Sequence, residues 1–456
     1  ASAHKVCPFE LSLDLATWSD LIIGDYNYIF DPVVRLQRFI AQPNMHLLVD
    51  EAHQLSPRVQ SMLAVQVNSA EIRAAKTTKN KLMSKRVISL ERAIKKIAKG
   101  LDEGEHDVAQ TDTLDRAVSR FLENYDHAEQ LQDREEDLER LYFACLRWAK
   151  GTSWFEKKRF RYLVEVRDKN IQVRQVCLDS GHYAAQVMSE YASTIRFSAT
   201  VSPLAVYQQL HGQVTKEADF SERAKTPFSV AQTHVMIIKD IPTYLQQRTQ
   251  SLPKICELLD TLTASKPGRY LLAMPSYAYL EQFRNEHIAS SSKAEQASKF
   301  LYQERGQDTD AQQALMASFC MHENVVMGVV LGGGLSESVD FGEAKLNGVV
   351  IVGLGLPPPS LERNLMAEFF AGNENGELGQ TMAYNQPAMA RVIQAAGRLI
   401  RSPDDRGVIC LVDPRFERRE FQNFFPVYWQ PRSMRLSEIK TSINSYWLHD
   451  MSTRED

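Results

Sequence analysis

No apolar run in the sequence approaches the ~18 residues that a membrane-spanning helix needs; the longest, GVVIVGLGL at 348–356, is about half that. Glycine and proline are scarce, 21 and 18 of 456 residues, which excludes collagen-like and low-complexity scaffolds and favours long regular elements. Charge of one sign is lacking too: 53 Lys/Arg against 57 Asp/Glu leave a net of −4. Bulk charge therefore cannot carry polyanion binding, and any nucleic-acid contact has to come from a local basic track. The six cysteines are scattered and form no CxxC pair, which excludes a disulfide framework and points to a reducing, cytoplasmic setting. The opening ASAHKVCPFE has no initiator Met, no basic n-region and no apolar h-region. No secretory signal is expected, and the numbering reads as a cut into a longer frame. There is no internal repeat of fixed period. What remains is ordinary globular usage, 44% hydrophobic and 24% charged, and a length that at roughly 100–200 residues per domain implies two to four domains.

The first sixty residues read as α/β: a helical LSLDLATWSD, a short apolar DLIIGDYNYIF, then MHLLVDEAH, where an apolar run stops at two carboxylates. From 65 to 150 the texture changes to long polar helices. Leu90, Ile94, Ile97 and Leu101 recur at helical spacing, with Arg92, Lys95, Lys96 and Lys99 on the opposite face. Charge is segregated here: residues 71–100 hold ten Lys/Arg against two Glu, and residues 101–140 hold fourteen Asp/Glu against four Arg. Either two antiparallel helical halves complement each other's charge, or the basic half lines a path for phosphates. Short β-like pieces return in RYLVEVRD, IQVRQVCLD and STIRFSATVSP. From 233 onward apolar strands alternate with helices, from THVMIIKD through RYLLAMPS, VVMGVVLG and GVVIVGLGL to a helix at 387–400 and GVICLVDPR. Continuous Val/Ile/Leu runs separated by helices imply a parallel sheet covered on both faces, with chemistry at the carboxyl ends of its strands.

Four strings stand out, each expected where a strand ends or a helix begins. Asp50-Glu51-Ala52-His53 places adjacent carboxylates at a strand end. One can hold a hard cation through water while the next orients and deprotonates an attacking water. A core strand ending in a solvated turn accounts for either acid singly but poorly for the whole string. Ser198-Ala199-Thr200 is a small hydroxyl-rich turn that carries nothing by itself. GGGLSESVDFGE at 332–343 is a glycine-rich turn that lets backbone approach a ligand, with Glu337 and Asp340 at its tip; a flexible loop with solvated acids fits equally. Gln394, Arg398 and Arg401 stand at i, i+4 and i+7, the spacing of one helix face. Two guanidiniums and an amide aimed one way suit a γ-phosphate, because Arg donates bidentately and stabilises charge on a transferred phosphoryl group.

In this order, VDEAH, SAT, the ESVDF loop and QAAGRLIRSPDDRG resemble motifs II, III, V and VI of a superfamily-two helicase. CPFELSLDLATWSDLIIGDYNYIFDP resembles the segment of the DinG/XPD branch that carries its last iron–sulfur cysteine, and RYLLAMPSYAYL resembles its motif IV. GLGLPPPS and GVICLVDPRF are similar to further family segments, so the resemblance covers nearly the whole chain. It implies an α/β fold with two RecA-like parallel-sheet motor domains, the first incomplete, and a helical Arch-like insertion. The implied domains are 1–64 and 151–205 for the first motor, 65–150 for the insertion and 206–456 for the second motor. By the same resemblance Asp50 is the Mg²⁺-water ligand and Glu51 the base. His53 with Ser198, Ala199 and Thr200 couples nucleotide state to DNA grip. Gln394, Arg398 and Arg401 contact the γ-phosphate of ATP from the second motor domain, and Asp340 and Glu337 belong to a nucleotide-sensing loop. Ser276 and Tyr277 track DNA phosphates, and Cys7 is one of four ligands of a 4Fe-4S cluster. The implied protein is an ATP-dependent DNA helicase moving 5′→3′ on single-stranded or forked DNA, a monomeric motor of the bacterial cytoplasm or nucleoid, with replication or repair partners and no membrane.

The sequence departs from that pattern in two places. No Gly-Lys-Ser/Thr occurs in it, so the phosphate loop G-x-x-x-x-G-K-[ST] is missing. Three cluster cysteines are missing as well, since Cys145 and Cys177 lie far downstream and read as core or helix-face residues. One cause explains both if residue 1 falls just before the fourth cluster cysteine, and these residues alone are then not expected to hydrolyse ATP or hold a cluster. Two other classes stay open: a non-catalytic nucleic-acid-binding or interaction subunit, and an RNA-directed DEAH-type ATPase. No second carboxylate cluster suggests a nuclease.

Overall fold

Apolar runs buried on both sides and runs that alternate call for different sheets, and the chain makes both. The computed structural model describes residues 6–40, 44–128, 135–212, 220–291, 298–337, 344–372 and 376–452. It divides into two compact units, 1–197 with 209–214, and 198–208 with 215–456.

In the first unit the strands are β1 (His46–Val49), β2 (Val65–Asn68), β3 (Gly104–Val108), β4 (Phe160–Arg167), β5 (Asn170–Cys177) and β6 (Ser193–Arg196). β1 and β6 pair in parallel with Leu48 opposite Ile195. Val49 is buried, while Leu48 and Ile195 are 56% and 57% exposed. The other four form an antiparallel sheet in the order β2-β5-β4-β3. The RYLVEVRD and IQVRQVCLD pieces are its central hairpin, turned through Asp168 and Lys169, both at positive φ.

Helices Ser69–Ala74, Lys81–Ile97 and Glu136–Ser153 pack on that sheet, and Asp112–Ala128 packs against the latter two. Their shared core runs through Val67, Leu90, Ile94, Phe121, Trp148, Val164 and Val173. Asn80 starts the helix Lys81–Ile97 by accepting the N–H groups of Leu82 and Met83 on its side chain. Of the expected stripe, Leu90 and Ile94 are fully buried, but Leu101 lies beyond the helix. Gly100, at φ 85°, turns the chain there.

The second unit holds β7 (Thr233–Ile238), β8 (Arg269–Met274), β9 (Lys299–Tyr302), β10 (Val325–Val330), β11 (Gly348–Val352), β12 (Gly407–Val412) and β13 (Arg432–Met434). They form one sheet in the order β13-β7-β12-β11-β8-β10-β9, parallel throughout. Alternate residues feed two cores: Val235, Leu271, Met327, Val349 and Ile409 to one face, Met236, Tyr270, Val326, Val350 and Cys410 to the other. This is the doubly covered parallel sheet that continuous apolar strands imply. Gly348 sits where a Cβ would fall 2.8 Å from both the Tyr270 ring and a Val408 methyl, so the strand's first residue has no room for a side chain.

Candidate active site

β1 delivers the first pair of carboxylates as its sequence suggests. Asp50 and Glu51 follow Val49 at the carboxyl end of the strand and are exposed. Asp50 accepts the Glu51 N–H on Oδ1 at 2.7 Å. Glu51 has φ 47° and ψ 44°, a left-handed conformation that few side-chain-bearing residues adopt. Three contacts hold that turn. The Ala52 N–H donates to the Phe197 carbonyl at 3.0 Å, just past β6. The Tyr26 hydroxyl donates to the Asp50 carbonyl and lies 3.2 Å from that of Glu51. The buried His53 places Nδ1 3.2 Å from the Glu51 carboxylate.

Burial lowers the pKa of His53 against the opposing pull of Glu51 and Asp50, so the imidazole is neutral near pH 7. A neutral ring with its proton on Nδ1 donates to Glu51. Burial, followed by the Arg196 charge, brings His211 down to about 4, and His211 also meets the backbone of Ala52. The Tyr26 hydroxyl is pushed up to about 12, chiefly by burial, and stays a donor. Paired exposed carboxylates beside open solvent suit a Mg²⁺ that keeps several waters.

Past Phe197 the chain runs straight into Ser198-Ala199-Thr200. Its hydroxyls lie 3.3 Å apart, and the Thr200 N–H donates to Ser198 Oγ at 3.2 Å. Ser276 follows β8 and accepts the Tyr279 N–H at 3.3 Å, opening the helix Tyr277–Ser291. Arg305 lies over the Tyr277 ring, 5.9 Å from its centroid. Both residues therefore stand at the carboxyl edge of the large sheet. Glu337 ends the short helix Gly334–Glu337 beyond β10, and Asp340 lies outside the described residues.

The fourth string departs from its expected geometry. The helix Gln386–Ala396 carries Gln394, but Gly397 caps it. Arg398 stays in one further turn, its N–H 3.4 Å from the Ala395 carbonyl. Arg401 lies in the loop before Pro403, so the three residues do not share one helix face. Asp405 takes over instead, accepting the N–H groups of Arg401 and Ser402 at 2.9 and 2.8 Å. Burial opposes its charge, yet these bonds and Lys345 hold Asp405 below the ordinary carboxylate range. Gln232 donates to the carbonyls of Ser402, Pro403 and Asp405 at 3.1, 3.0 and 3.0 Å. Gln232 directly precedes β7, and Thr233 is in register with Gly407 at the start of β12. Residues 398–405 therefore lie where a helix ends and a strand begins, at the amino edge of the sheet.

Cys7 is exposed ahead of the helix Pro8–Ala16. Cys145, Cys177, Cys256 and Cys410 are buried, and burial raises the thiol pKa of Cys256 and Cys410 to about 12 and that of Cys145 further. Among the described residues no three His, Cys, Asp or Glu side chains are grouped to hold a metal. An iron–sulfur cluster takes four thiolates, and the cysteines of this chain do not fit one.

Tyr26, His211, Gln232 and Asp405 were not expected from the sequence. Only the apolar DYNYIF run and the acid pair Asp404-Asp405 after RSP hinted at two of them.

Comparison with known proteins agrees with the motif order. A family model described as "Helicase C-terminal domain" matches residues 259–432, and one described as "DEAD_2" matches 1–72. Two solved structures titled as an XPD helicase and an apo XPD superpose with TM-scores of 0.62 and 0.58. The first covers 95% of this chain and 76% of its own at 18% identity; the second covers 93% and 85% at 17%. The chain shares the fold of these XPD structures. It is 22% identical to "Regulator of telomere elongation helicase 1 homolog" of Drosophila virilis, over 91% of its own length and 50% of the relative. It is 20% identical to "ATP-dependent DNA helicase chl1" of Aspergillus clavatus, over 94% and 69%. It thus spans about half the length of the first of these curated relatives. No helix among the described residues is long and apolar enough to cross a membrane.

Proposed function

We propose that the chain is part of an ATP-dependent DNA helicase that translocates 5′→3′ on single-stranded DNA in replication or repair. The observation that supports it most is the turn at the end of β1, where Glu51 is held at positive φ beside Asp50 and accepts from His53. Backbone strain that persists because three neighbours pin it is common at functional sites. In this reading Asp50 holds Mg²⁺ through water, and Glu51 orients and deprotonates the water that attacks ATP. His53 and Ser198–Thr200 transmit nucleotide state. Gln394, Arg398 and Arg401 bind the γ-phosphate, with Asp405 and Gln232 fixing the loop that carries Arg401. Glu337 and Asp340 serve a nucleotide-sensing loop, and Ser276 and Tyr277 meet the DNA backbone. The region of residues 65–150 is the Arch-like insertion, and its sheet partners β4 and β5 support extending it to Cys177. A cluster, where the protein has one, draws three of its thiolates from outside these residues.

The second reading is a nucleic-acid-binding subunit without its own turnover. Its distinguishing test is the sequence ahead of Ala1: a Gly-Lys-Ser/Thr and three more cysteines there would refute it. Both readings predict that residues 1–456 alone show no useful ATP turnover with single-stranded DNA. Robust turnover that Glu51→Gln abolishes would refute that expectation, and stimulation by RNA in place of DNA would refute the choice of substrate.

A further inference from the structure

The helix Lys81–Ile97 buries Met83, Val87, Leu90, Ala93 and Ile94 on one side. Its other side carries Lys81, Lys85, Arg92 and Lys96, and Lys99 continues the line past its end, all exposed. The four on the helix fall within an arc of about 60°, and the line to Lys99 runs about 27 Å at 1.5 Å per residue. Lys76 and Lys95 share Glu91, at 2.5 and 2.9 Å. The five residues of the line make no ion pair among the described residues. Lys81 with Lys85 and Arg92 with Lys96 are i, i+4 like-charge pairs, each of which costs a few tenths of a kcal/mol of helix stability. The stripe thus works against the fold that carries it, in a chain whose net charge is −4. It is the local basic track that such a chain needs in order to meet a polyanion.

We propose that this face is a docking track for the backbone phosphates of single-stranded DNA. The identity of the polyanion rests on the helicase reading; the track itself rests on the geometry. At 3.4 Å per phosphate, about eight phosphates of a stacked strand match the length of the stripe. No aromatic side chain stands among the charges, so the contact follows the backbone and has no base preference.

The test is binding of labelled oligo-dT to residues 1–456 across a salt series. The variant is Lys85→Ala/Arg92→Ala/Lys96→Ala, which keeps good helix formers at exposed positions. Single strands lose roughly 0.7 in the slope of log K against log salt per contact, so the triple variant should lose about 2, and about a hundredfold in affinity at 0.1 M salt. The charge-matched control Lys225→Ala/Lys239→Ala/Lys440→Ala should keep the slope, and so should Lys85→Arg/Lys96→Arg. An unchanged slope in the stripe variant overturns the proposal. So does an equal loss in the control, or no measurable binding by the parent chain. Polyglutamate competing as well as oligo-dT at equal charge would make the partner an acidic protein and overturn it too. If binding depends on the stripe but no form of the protein containing a phosphate loop turns over ATP with DNA, the track stands and the motor reading falls.

Discussion

Asp413 is fully buried at the end of β12, and its carboxylate accepts five bonds. Oδ1 takes the Arg415 N–H and Nε, each at 2.8 Å. Oδ2 takes Arg415 Nη2 at 2.9 Å, the Thr243 N–H at 3.1 Å and the Thr243 hydroxyl. Arg415 in turn lies over the Tyr244 ring, 4.3 Å from its centroid. Burial alone would raise the pKa of Asp413, but the Arg415 and Thr243 bonds win and hold it below 3.8. Replacing Asp413 with Ala leaves a guanidinium only 16% exposed without its counter-charge. Breaking one side of a buried pair costs about 3–5 kcal/mol.

Removing both charges, as in Asp413→Ala/Arg415→Met, should cost clearly less than Asp413→Ala alone, because no uncompensated ion remains. Hydrogen exchange of the β7 and β12 amides reads the stability of this unit by itself, which a whole-chain melt of two units does not. The pH sign follows from the lowered pKa. The carboxylate's contribution is complete above the ordinary value of 3.8 and disappears as pH falls through the folded-state value. A loss under about 1 kcal/mol in Asp413→Ala, well below the range for a broken buried pair, would refute the reasoning. A double variant less stable than the single would refute it as well.

Tyr26→Phe removes the donor to the Asp50 and Glu51 carbonyls and should cost about 1 kcal/mol in the first unit. Faster exchange of the Ala52 amide would register it, and an unchanged rate would show that the hydroxyl does not hold the turn. His211 and His234 titrate near 4 in the folded chain, both depressed chiefly by burial, and His53 is shifted the same way. Their contribution to stability is present above the ordinary value of 6.5 and is lost as pH falls toward 4, by up to about 3 kcal/mol each for His211 and His234. Exchange of the β7 amides at intervals from pH 7 to 4, corrected for intrinsic rate, should show that loss in the second unit, and less steeply in His234→Gln; parallel curves would refute the assignment.

The sequence made the large sheet legible because its strands are nearly pure Val/Ile/Leu, a pattern that only a doubly covered parallel sheet needs. β9 and β13 were not legible. KFLY and RSM are short edge pieces whose pairing depends on neighbours far away in sequence. The DEAH turn was readable from residue types alone, because an apolar strand running into two acids has few structural uses. Its clasp was not, since Tyr26 and His211 reach it from 24 and 159 residues away. The i, i+4, i+7 spacing of Gln394, Arg398 and Arg401 suggested a single helical face. The helix ends at Ala396 with Gly397 as its cap, and Asp405 takes the Arg401 and Ser402 N–H groups in place of a further helical turn, a tertiary contact that outweighs periodicity. Charge segregation between 71–100 and 101–140 was visible in composition, and the apolar stripe through Leu90 and Ile94 already marked the side turned from water, where both are buried.

The position of the 398–405 loop has a mechanical consequence. It lies at the amino edge of the seven-stranded sheet, braced by Gln232 ahead of β7. Ser276, Gly332–Gly334 and the Thr243–Asp413 pair lie at the carboxyl edge. Strands of six residues separate the two edges by about 20 Å at 3.3 Å per residue. Between them β7, β10, β11 and β12 are packed on both faces, with side chains buried almost throughout. Such a layer is close-packed and transmits displacement without absorbing it. If phosphate binds at the amino edge as proposed, a local rearrangement there has no loose segment through which to reach the carboxyl edge. The signal then has to travel as movement of the whole sheet with its helices, the rigid-body class of switching. On the proposed reading, the residues that stiffen the two edges, Gln232 and Asp405 at one and Asp413 at the other, would matter to coupling as much as those that touch ligand.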